Sequence, residues 1–428
     1  MRSVHTFRFH LFLFVSLLML SFPPMSFAEG LQLSALLKEA REKNPELKAI
    51  EEKITAREAA ARAEGALDDP TLKVELEDLS REHPLNISPG NAMLTRYTIS
   101  QMLPFPGKLS LRRKIAYKEA LAAHAELKAK ELEIISGIKE AYFDYAFLME
   151  SLKRTAEIKD VLSYMSKVAE TRYSTGQVSQ QDVIKVNVEK TMLSNELITL
   201  EAEKAIAASR LKSFIARPQS EAIDEPQVLS RERIAFDTEM LIKRTVENNP
   251  EIRMAELEAE AGSLGADLAK RNYYPDLMLG VAPIQRDGRF DAFDVMLQVN
   301  LPIWRGKYND REEEAAANAR SMRSRAAAMK NVKGFEVKEA ALMVESADRM
   351  RALYETALLP QVELSFESAL RNYQAGKIDF LMLLDTEREL KRTRIDYLKS
   401  LLEYRKKVAL LERAAGSEIS SANTEELK

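Results

Sequence analysis

The feature that most constrains this chain is an internal duplication, in which an ordered set of landmarks occurs twice about 200 residues apart. An Asn-Pro-Glu sequence at 44–46 recurs at 249–251, and a Tyr-x-x-Gly sequence at 173–176 recurs at 373–376. A Leu-Pro pair followed by Gly-Lys also occurs in both copies, ending at Lys108 and at Lys307. Landmarks that recur in one order, with only small insertions, indicate two copies of one structural unit. The sequence therefore predicts two repeats, at residues 29–217 and 231–416. A linker at 218–230 joins them, and a flexible tail follows at 417–428.

Each repeat begins with the same succession of patterns. Asn44 and Asn249 stand before a proline, which is typical of a helix start, because Asn can cap a helix and Pro is tolerated in its first turn. The following segments alternate apolar and polar residues, as strands with one apolar and one polar face do. This alternation predicts four amphipathic strands, at about 71–79, 93–103, 276–283 and 292–301.

The pattern then changes to that of long helices. Ile138, Tyr142 and Tyr145 follow the spacing of a coiled-coil seam, within a stretch that has no proline from Lys108 onward to the first Tyr-x-x-Gly. A glycine suits the point where a helical hairpin reverses, and Pro360 predicts a kink in the second outgoing helix. We therefore expect a mainly α fold with a minor β part, built from duplicated coiled-coil hairpins at 108–216 and 307–415.

The first 28 residues have the features of a secretory signal peptide. Arg2 and Arg8 form a basic region, Leu11 to Leu20 an apolar core, and Ser26-Phe27-Ala28 a small-x-small cleavage site. We expect export and a mature chain that starts at Glu29. Since the sequence has no cysteine, we expect no disulfide and no lipoprotein anchor on an N-terminal Cys.

The residue inventory argues against several classes of function. Without cysteine, and with only His83 and His124 beyond the signal peptide, neither a thiol nucleophile nor a Cys/His zinc cluster is available. No nucleophile elbow or phosphate loop occurs, and the 17 methionines are scattered as core residues would be. A net charge of −3 gives no sign of a nucleic-acid partner. We expect a non-enzymatic protein with no cofactor, no metal site and no nucleic acid.

Duplicated in this order behind a signal peptide, the Asn-Pro-Glu, Pro-Phe-Pro-Gly-Lys and Tyr-x-x-Gly sequences resemble the TolC family of outer-membrane efflux proteins. The Pro-Phe-Pro-Gly-Lys version at 104–108 is similar to the heavy-metal branch, which is CusC- and CzcC-like. The resemblance implies a homotrimer in which three chains form a β-barrel in outer-membrane lipid and an α-helical tunnel in the periplasm. It also implies two partners, a periplasmic adaptor (membrane fusion) protein and an inner-membrane pump of the RND type.

The same resemblance assigns roles to two groups of residues, and the aromatic residues beside the second strand pair suggest a third. The hairpin turns would dock the adaptor, a set formed by Tyr173, Gly176, Gln177, Val178, Tyr373, Gly376, Lys377 and Ile378. The periplasmic aperture would be lined by Asp182, Lys185 and Asp385, and aromatic residues at the membrane interface would be Tyr273, Tyr274, Phe293 and Trp304. From the residues alone, plain turns, solvated helix faces and ordinary packing remain open for these groups.

The function predicted from the sequence is a passive exit duct in the outer membrane. The alternatives are a periplasmic adaptor and a structural coiled-coil protein. Its cargo is open between heavy-metal cations, small organic compounds and a secreted polypeptide.

Overall fold

The computed structural model describes residues 31–79, 87–227, 229 and 233–419. The predicted signal peptide, part of the linker and most of the tail lie outside these residues. The first repeat comprises the elements α1 (Leu33–Lys43), α2 (Pro45–Ala63), β1 (Thr71–Leu79), β2 (Ala92–Leu103), α3 (Lys108–Ser174) and α4 (Gln180–Phe214). The second repeat has the same order, with α5 (Thr238–Asn248), α6 (Pro250–Arg271), β3 (Leu277–Arg286), β4 (Arg289–Val299), α7 (Arg305–Leu353), α8 (Leu359–Gln374) and α9 (Phe380–Ala415). The predicted fold class, mainly α with a small antiparallel β part, is confirmed.

The two Asn-Pro-Glu sequences begin α2 and α6 in the same way. The Asn44 Oδ1 accepts hydrogen bonds from the backbone N–H groups of Glu46 (2.8 Å) and Leu47 (3.4 Å), and Asn249 caps α6 identically. Each amide also donates, through Nδ2, to the end of the returning helix of its own repeat. The acceptors are the carbonyl oxygens of Phe214 (2.8 Å) and Ala414 (3.1 Å). Each asparagine therefore both caps a helix and ties the base of its hairpin to it.

Two substitutions of Asn44 are expected to separate these roles. Asn44→Asp keeps the capping oxygen but removes the donor to Phe214, whereas Asn44→Ala removes both. We expect Asn44→Ala to lower the free energy of unfolding by roughly 2 kcal/mol, from the lost cap and the lost hydrogen bond to the half-buried Phe214 carbonyl. Denaturant unfolding followed by circular dichroism measures both variants. Equal losses in the two would show that the cap contributes nothing.

The four strands form one antiparallel sheet in the order β1-β2-β3-β4. The two repeats meet at its centre, where β2 pairs with β3 and places Leu103 opposite Leu277 and Ile99 opposite Val281. The outer strands β1 and β4 each have one edge without a partner in the described part of the chain.

Strands β3 and β4 extend further toward each other than the predicted 276–283 and 292–301. They reach Arg286 and Arg289 because a two-residue turn joins them. Asp287 and Gly288 both have positive φ values, 45° and 76°, as the central residues of a type I′ hairpin turn do. Asp-Gly is a known signal for this turn, so the hairpin could have been predicted from the sequence.

The long helices form two hairpins that pack side by side. The helix α3 is 67 residues long, which corresponds to roughly 100 Å. Near the hairpin turns, one apolar cluster draws residues from both hairpins, among them Leu162 of α3, Val186 of α4 and Leu383 of α9. The two repeats therefore share a core at their helical ends as well as at the sheet.

The outgoing helix of the second repeat is interrupted before Pro360. A π-helical segment, Tyr354–Leu358, separates α7 from α8, and Pro360 lies in the first turn of α8, where its missing N–H is tolerated. From the Gly-Lys pair to the Tyr-x-x-Gly turn, this repeat is one residue longer than the first. A π-helical turn accommodates one extra residue, so the insertion explains the interruption.

Candidate functional site: the paired hairpin tips and the apolar face of the sheet

The two hairpin turns, which we call the tips, close in the same way. At the first tip, Gly176 has a φ of 70° and donates from its backbone N–H to the Tyr173 carbonyl (2.9 Å). At the second, Gly376 has a φ of 74° and donates to the Tyr373 carbonyl, also at 2.9 Å. The following residue donates back to the last helical turn in both cases, which is a helix ending that glycine favours.

The tips contact each other through Arg172. Its Nη1 donates to the backbone carbonyl of Tyr373 at 2.6 Å, and its guanidinium lies 4.9 Å from the centre of that tyrosine ring. A Cβ on Gly376 would lie 3.3 Å from Arg172 Nη2, so the absence of a side chain there makes room for the arginine. The two tips therefore form one continuous surface.

The two tip tyrosines differ in exposure. Tyr173 is 46% exposed, but Tyr373 is only 2% exposed and packs edge-on against Phe380. Burial raises the pKa of the Tyr373 hydroxyl, which has no hydrogen-bond partner in the described part of the chain. The Tyr373 ring therefore belongs to the core, and contact between this turn and an adaptor stays a prediction.

The other predicted tip residues divide into two groups. Gly176, Gln177, Gly376 and Lys377 are exposed, whereas Val178 and Ile378 are half-buried at the start of the returning helices. Ile378 packs against the apolar cluster that the hairpins share. The free surface of the tips is polar and contains the cation of Lys377.

The predicted aperture residues have different surroundings. Asp182 and Lys185 are half-buried in the first turns of α4, and the charge of Asp182 contributes to the raised pKa of Tyr373. Asp385 is exposed on α9, with its Oδ1 3.6 Å from Arg388 Nη1. Within one chain, Asp182 thus belongs to the junction of the tips and Asp385 to a neighbouring helix face.

A buried carboxylate behind the tips was missed by the sequence analysis. Glu387 is 3% exposed, and neither of its carboxylate oxygens has a hydrogen-bond partner in the described residues. Burial, and next the negative charge of Glu189 on α4, raise the pKa of Glu387 to about 7. In the sequence, Glu387 follows Leu383 by four residues and precedes Leu390 by three, which places it on the buried stripe of α9.

The sheet carries an apolar face that is exposed to solvent in the single chain. Cross-strand neighbours share a face, so the register aligns Leu72 with Ile99, Ile99 with Val281, and Val281 with Val295. These side chains are all at least half exposed. Such a large apolar surface marks an interaction site. Among the helices that the structure describes, none combines the length and apolar character needed to cross a membrane.

The opposite face of the sheet carries the charged side chains, together with some apolar ones such as Ile284, which pairs with Arg96. Arg96 of β2 donates to Glu77 of β1 and, at 3.2 Å, to Asp294 of β4. One arginine therefore links β2 to both outer strands. Lys73 pairs with Glu75 on the same face at 2.5 Å. Hence the sheet separates an apolar surface from a charged one.

The predicted interface aromatics lie where the sheet meets the helices, except for Phe293 in β4. Tyr273 donates from its hydroxyl to Asn309 (2.6 Å), and Tyr274 stacks on Phe105 with ring centres 4.4 Å apart. Phe293 is 71% exposed on the apolar face, and Trp304 is 77% exposed just before α7.

No group of three or more metal-binding side chains is found in the described residues.

Comparison with known proteins gives a consistent result. The family model described as "Outer membrane efflux protein" matches residues 36–217 and 241–417, one match for each repeat. The chain is similar to the cobalt-zinc-cadmium resistance protein CzcC of Cupriavidus metallidurans, with 24% identity over 92% of each chain. It is also similar to nodulation protein T of Rhizobium leguminosarum bv. trifolii, with 22% identity over 69% of this chain and 66% of that protein.

Solved structures show the same fold. The chain is similar to the outer-membrane channel OprN, with a TM-score of 0.78 at 18% identity over 90% of both chains. It is also similar to CusC, with a TM-score of 0.77 at 18% identity over 90% of this chain and 92% of that one. For VceC from Vibrio cholerae the TM-score is 0.76 at 18% identity, covering 91% of this chain and 97% of that one.

Proposed function

This chain belongs to the outer membrane efflux protein family, and from that premise we propose that it is the exit duct of a tripartite efflux system. Members of the family are non-enzymatic transport channels of the outer membrane. In the proposed mechanism the duct has no energy source of its own. An inner-membrane pump of the RND type drives transport, and a periplasmic adaptor connects the pump to the tips.

The observation that carries this proposal is the two-faced sheet at one end of very long helical hairpins. Strands of 9 to 12 residues, with apolar side chains on one face and charged side chains on the other, suit a wall with lipid outside and water inside. The hairpins are long enough to extend far into the periplasm, since α3 alone measures roughly 100 Å.

A homotrimer would complete the wall. Four strands are too few to enclose a pore, and β1 and β4 each leave one edge open in the described chain. Three copies would supply twelve strands. The tips would then lie together at the periplasmic end, where the exposed Gln177 and Lys377 are placed to contact an adaptor.

For the cargo, we propose heavy-metal cations. The support is the similarity to a protein named for cobalt, zinc and cadmium resistance, together with the Pro-Phe-Pro-Gly-Lys sequence. Loss of the gene should then increase sensitivity to these cations and leave sensitivity to organic toxicants unchanged. The reverse pattern would assign the duct to small organic compounds.

The duct itself is tested by single-channel conductance of the purified protein in a planar bilayer, with the cross-linked mass determined in parallel. We expect a trimer that inserts and conducts. A soluble monomer without conductance would contradict the proposal and favour an adaptor or a structural coiled coil.

A further inference from the structure

A salt-bridged joint connects the two repeats where the sheet meets the helices. Lys108, whose side chain is 4% exposed, donates from Nζ to the Asp276 carboxylate (2.8 Å) and to the Tyr274 carbonyl (3.0 Å). The same Asp276 oxygen accepts the backbone N–H of Phe105 at 2.7 Å. Beside it, Phe105 stacks on Tyr274, and Arg271 donates to the Pro106 carbonyl at 3.2 Å. The joint lies at the end of the β2–β3 pair, because Lys108 follows β2 and Asp276 precedes β3.

Because the chain is duplicated, the positions on both sides of this joint occur a second time. Lys307 follows β4 as Lys108 follows β2, and Trp304 occupies the stretch that corresponds to Phe105. On the other side, Asp69 corresponds to Tyr274, whose carbonyl oxygen accepts from Lys108, whereas Thr71 stands where the second repeat has Asp276. The second copies therefore supply a cation and an aromatic ring on one side, while on the other side the carboxylates of Asp68 and Asp69 stand just before the proline and not after it.

These second copies are exposed and do not meet within the chain. Lys307, Trp304, Asp68 and Asp69 are all exposed, and no ion pair to Lys307 or to either aspartate is found in the residues that the structure describes. The strand order explains why. Lys307 follows the edge strand β4, whereas Asp69 precedes the opposite edge strand β1. Only another molecule can bring these two edges together.

We propose that Lys307 of one chain binds Asp69 of a second copy, with Trp304 packing against the residues just before β1 of that copy. This inference rests on the proposed homotrimer and adds the residues that would hold neighbouring chains together. The joint would again combine a lysine, an aromatic ring and a carboxylate at the junction of sheet and helices, with the carboxylate two residues earlier in the chain than the position that corresponds to Asp276. Under this assignment Trp304 serves subunit contact and not the membrane interface.

The same correspondence gives the pairing of the edge strands. In this pairing β4 takes the place of β2, with Leu301 aligned to Leu103, and β1 of the second copy takes the place of β3, with Pro70 aligned to Pro275. The antiparallel β2–β3 register then sets Val299 opposite Val74 of the second copy. Both valines lie on the apolar face, because Val74 pairs with Tyr97 and Val299 with Leu277 in the chain itself. A slip by one residue would place apolar side chains on the polar face, so the apolar pattern supports this alignment.

Cysteine cross-linking tests the joint cleanly, because the natural chain has no cysteine. The variant Lys307→Cys/Asp69→Cys, oxidised as the assembled protein, should give covalent products of two and three chains on a non-reducing gel. The control Arg289→Cys/Asp69→Cys uses the other end of β4 and should give none. Each single-cysteine variant should also remain uncross-linked.

Charge reversal provides a second measurement. Lys307→Glu should cause loss of the trimer that survives unheated in detergent, and Lys307→Glu/Asp69→Lys should restore it. A native trimer without cross-linking at this pair, and without rescue by the double reversal, would overturn the proposed joint while leaving the duct intact. A wild-type protein that is monomeric would overturn both.

Discussion

Replacement of Glu387 by Gln is expected to change the free energy of unfolding in a pH-dependent way. Relative to the wild type, the variant should be more stable at pH 8 than near pH 4.5 by roughly 3 kcal/mol. The reason is that Glu387 is held in the packed hairpins without a hydrogen-bond partner among the described residues. Its pKa is raised to about 7, first by burial and then by the neighbouring Glu189, from an ordinary value of 4.5.

The surrounding charges do not neutralise Glu387, since each nearby cation already has another carboxylate. Arg388 donates to Glu189 at 2.7 Å, and Lys391 donates to Glu196 at 2.7 Å. Arg388 also lies 3.6 Å from Asp385, so both cations are engaged by other carboxylates, and Glu387 has no direct ion pair in the described residues. An ionised, buried and unpaired carboxylate is costly, so the folded protein favours the neutral form.

The direction of the pH effect follows from the raised pKa. Below about pH 4.5, Glu387 is protonated in both the folded and the unfolded chain, so it contributes no pH dependence. As the pH rises, the unfolded chain releases this proton first, and stability is lost until the folded pKa of about 7 is passed. A glutamine side chain at this position cannot ionise, so the variant should lack this loss.

Denaturant unfolding of the wild type and of Glu387→Gln at several pH values between 4.5 and 8.5 measures the effect. The matched control is Asp385→Asn on the same helix, because the Asp385 side chain is 63% exposed and should show little difference from the wild type. Parallel pH profiles for Glu387→Gln and the wild type would contradict the assignment of a neutral buried carboxyl.

Local signals in the sequence were enough to predict the fold class, because helix starts and alternating strands depend on residues that are close together in the chain. Asn44 illustrates why, since its cap depends on residues that follow it directly in the chain. Its second bond, to the Phe214 carbonyl, joins residues 170 apart and has no local signal. The same reason explains why the Arg172 contact between the tips was not predicted.

The burial of individual polar side chains was the feature hardest to predict from the sequence. Glu387 and Asp385 stand two residues apart on one helix, yet the first is buried and the second is exposed. The difference depends on which side of α9 the neighbouring helices cover, and a chain with 30% charged residues offers many glutamates of similar appearance. The different exposure of the two tip tyrosines had no local signal for the same reason, because Tyr173 is exposed while Tyr373 is packed against Arg172.

The largest effect on assembly is expected from a charge on the apolar face of the sheet. Val295 is 72% exposed in the single chain and lies opposite Val281 on that face. If this face contacts lipid, Val295→Arg should destabilise membrane insertion by roughly 2–4 kcal/mol per chain, because an arginine near the middle of a bilayer loses its hydration. A trimer would carry this cost three times.

The matched control is Gln298→Arg in the same strand. Gln298 lies three residues after Val295 in β4 and pairs with Met278. Because side chains alternate along a strand, Gln298 lies on the opposite face of the sheet. The same cation placed there should be tolerated, since that face already holds Arg96 and Asp294. Insertion into lipid vesicles, measured as the heat-modifiable fraction, should fall for Val295→Arg and remain near the wild-type level for Gln298→Arg. Equal insertion by both variants would mean that the apolar face does not contact lipid, and a protein partner would then have to cover it.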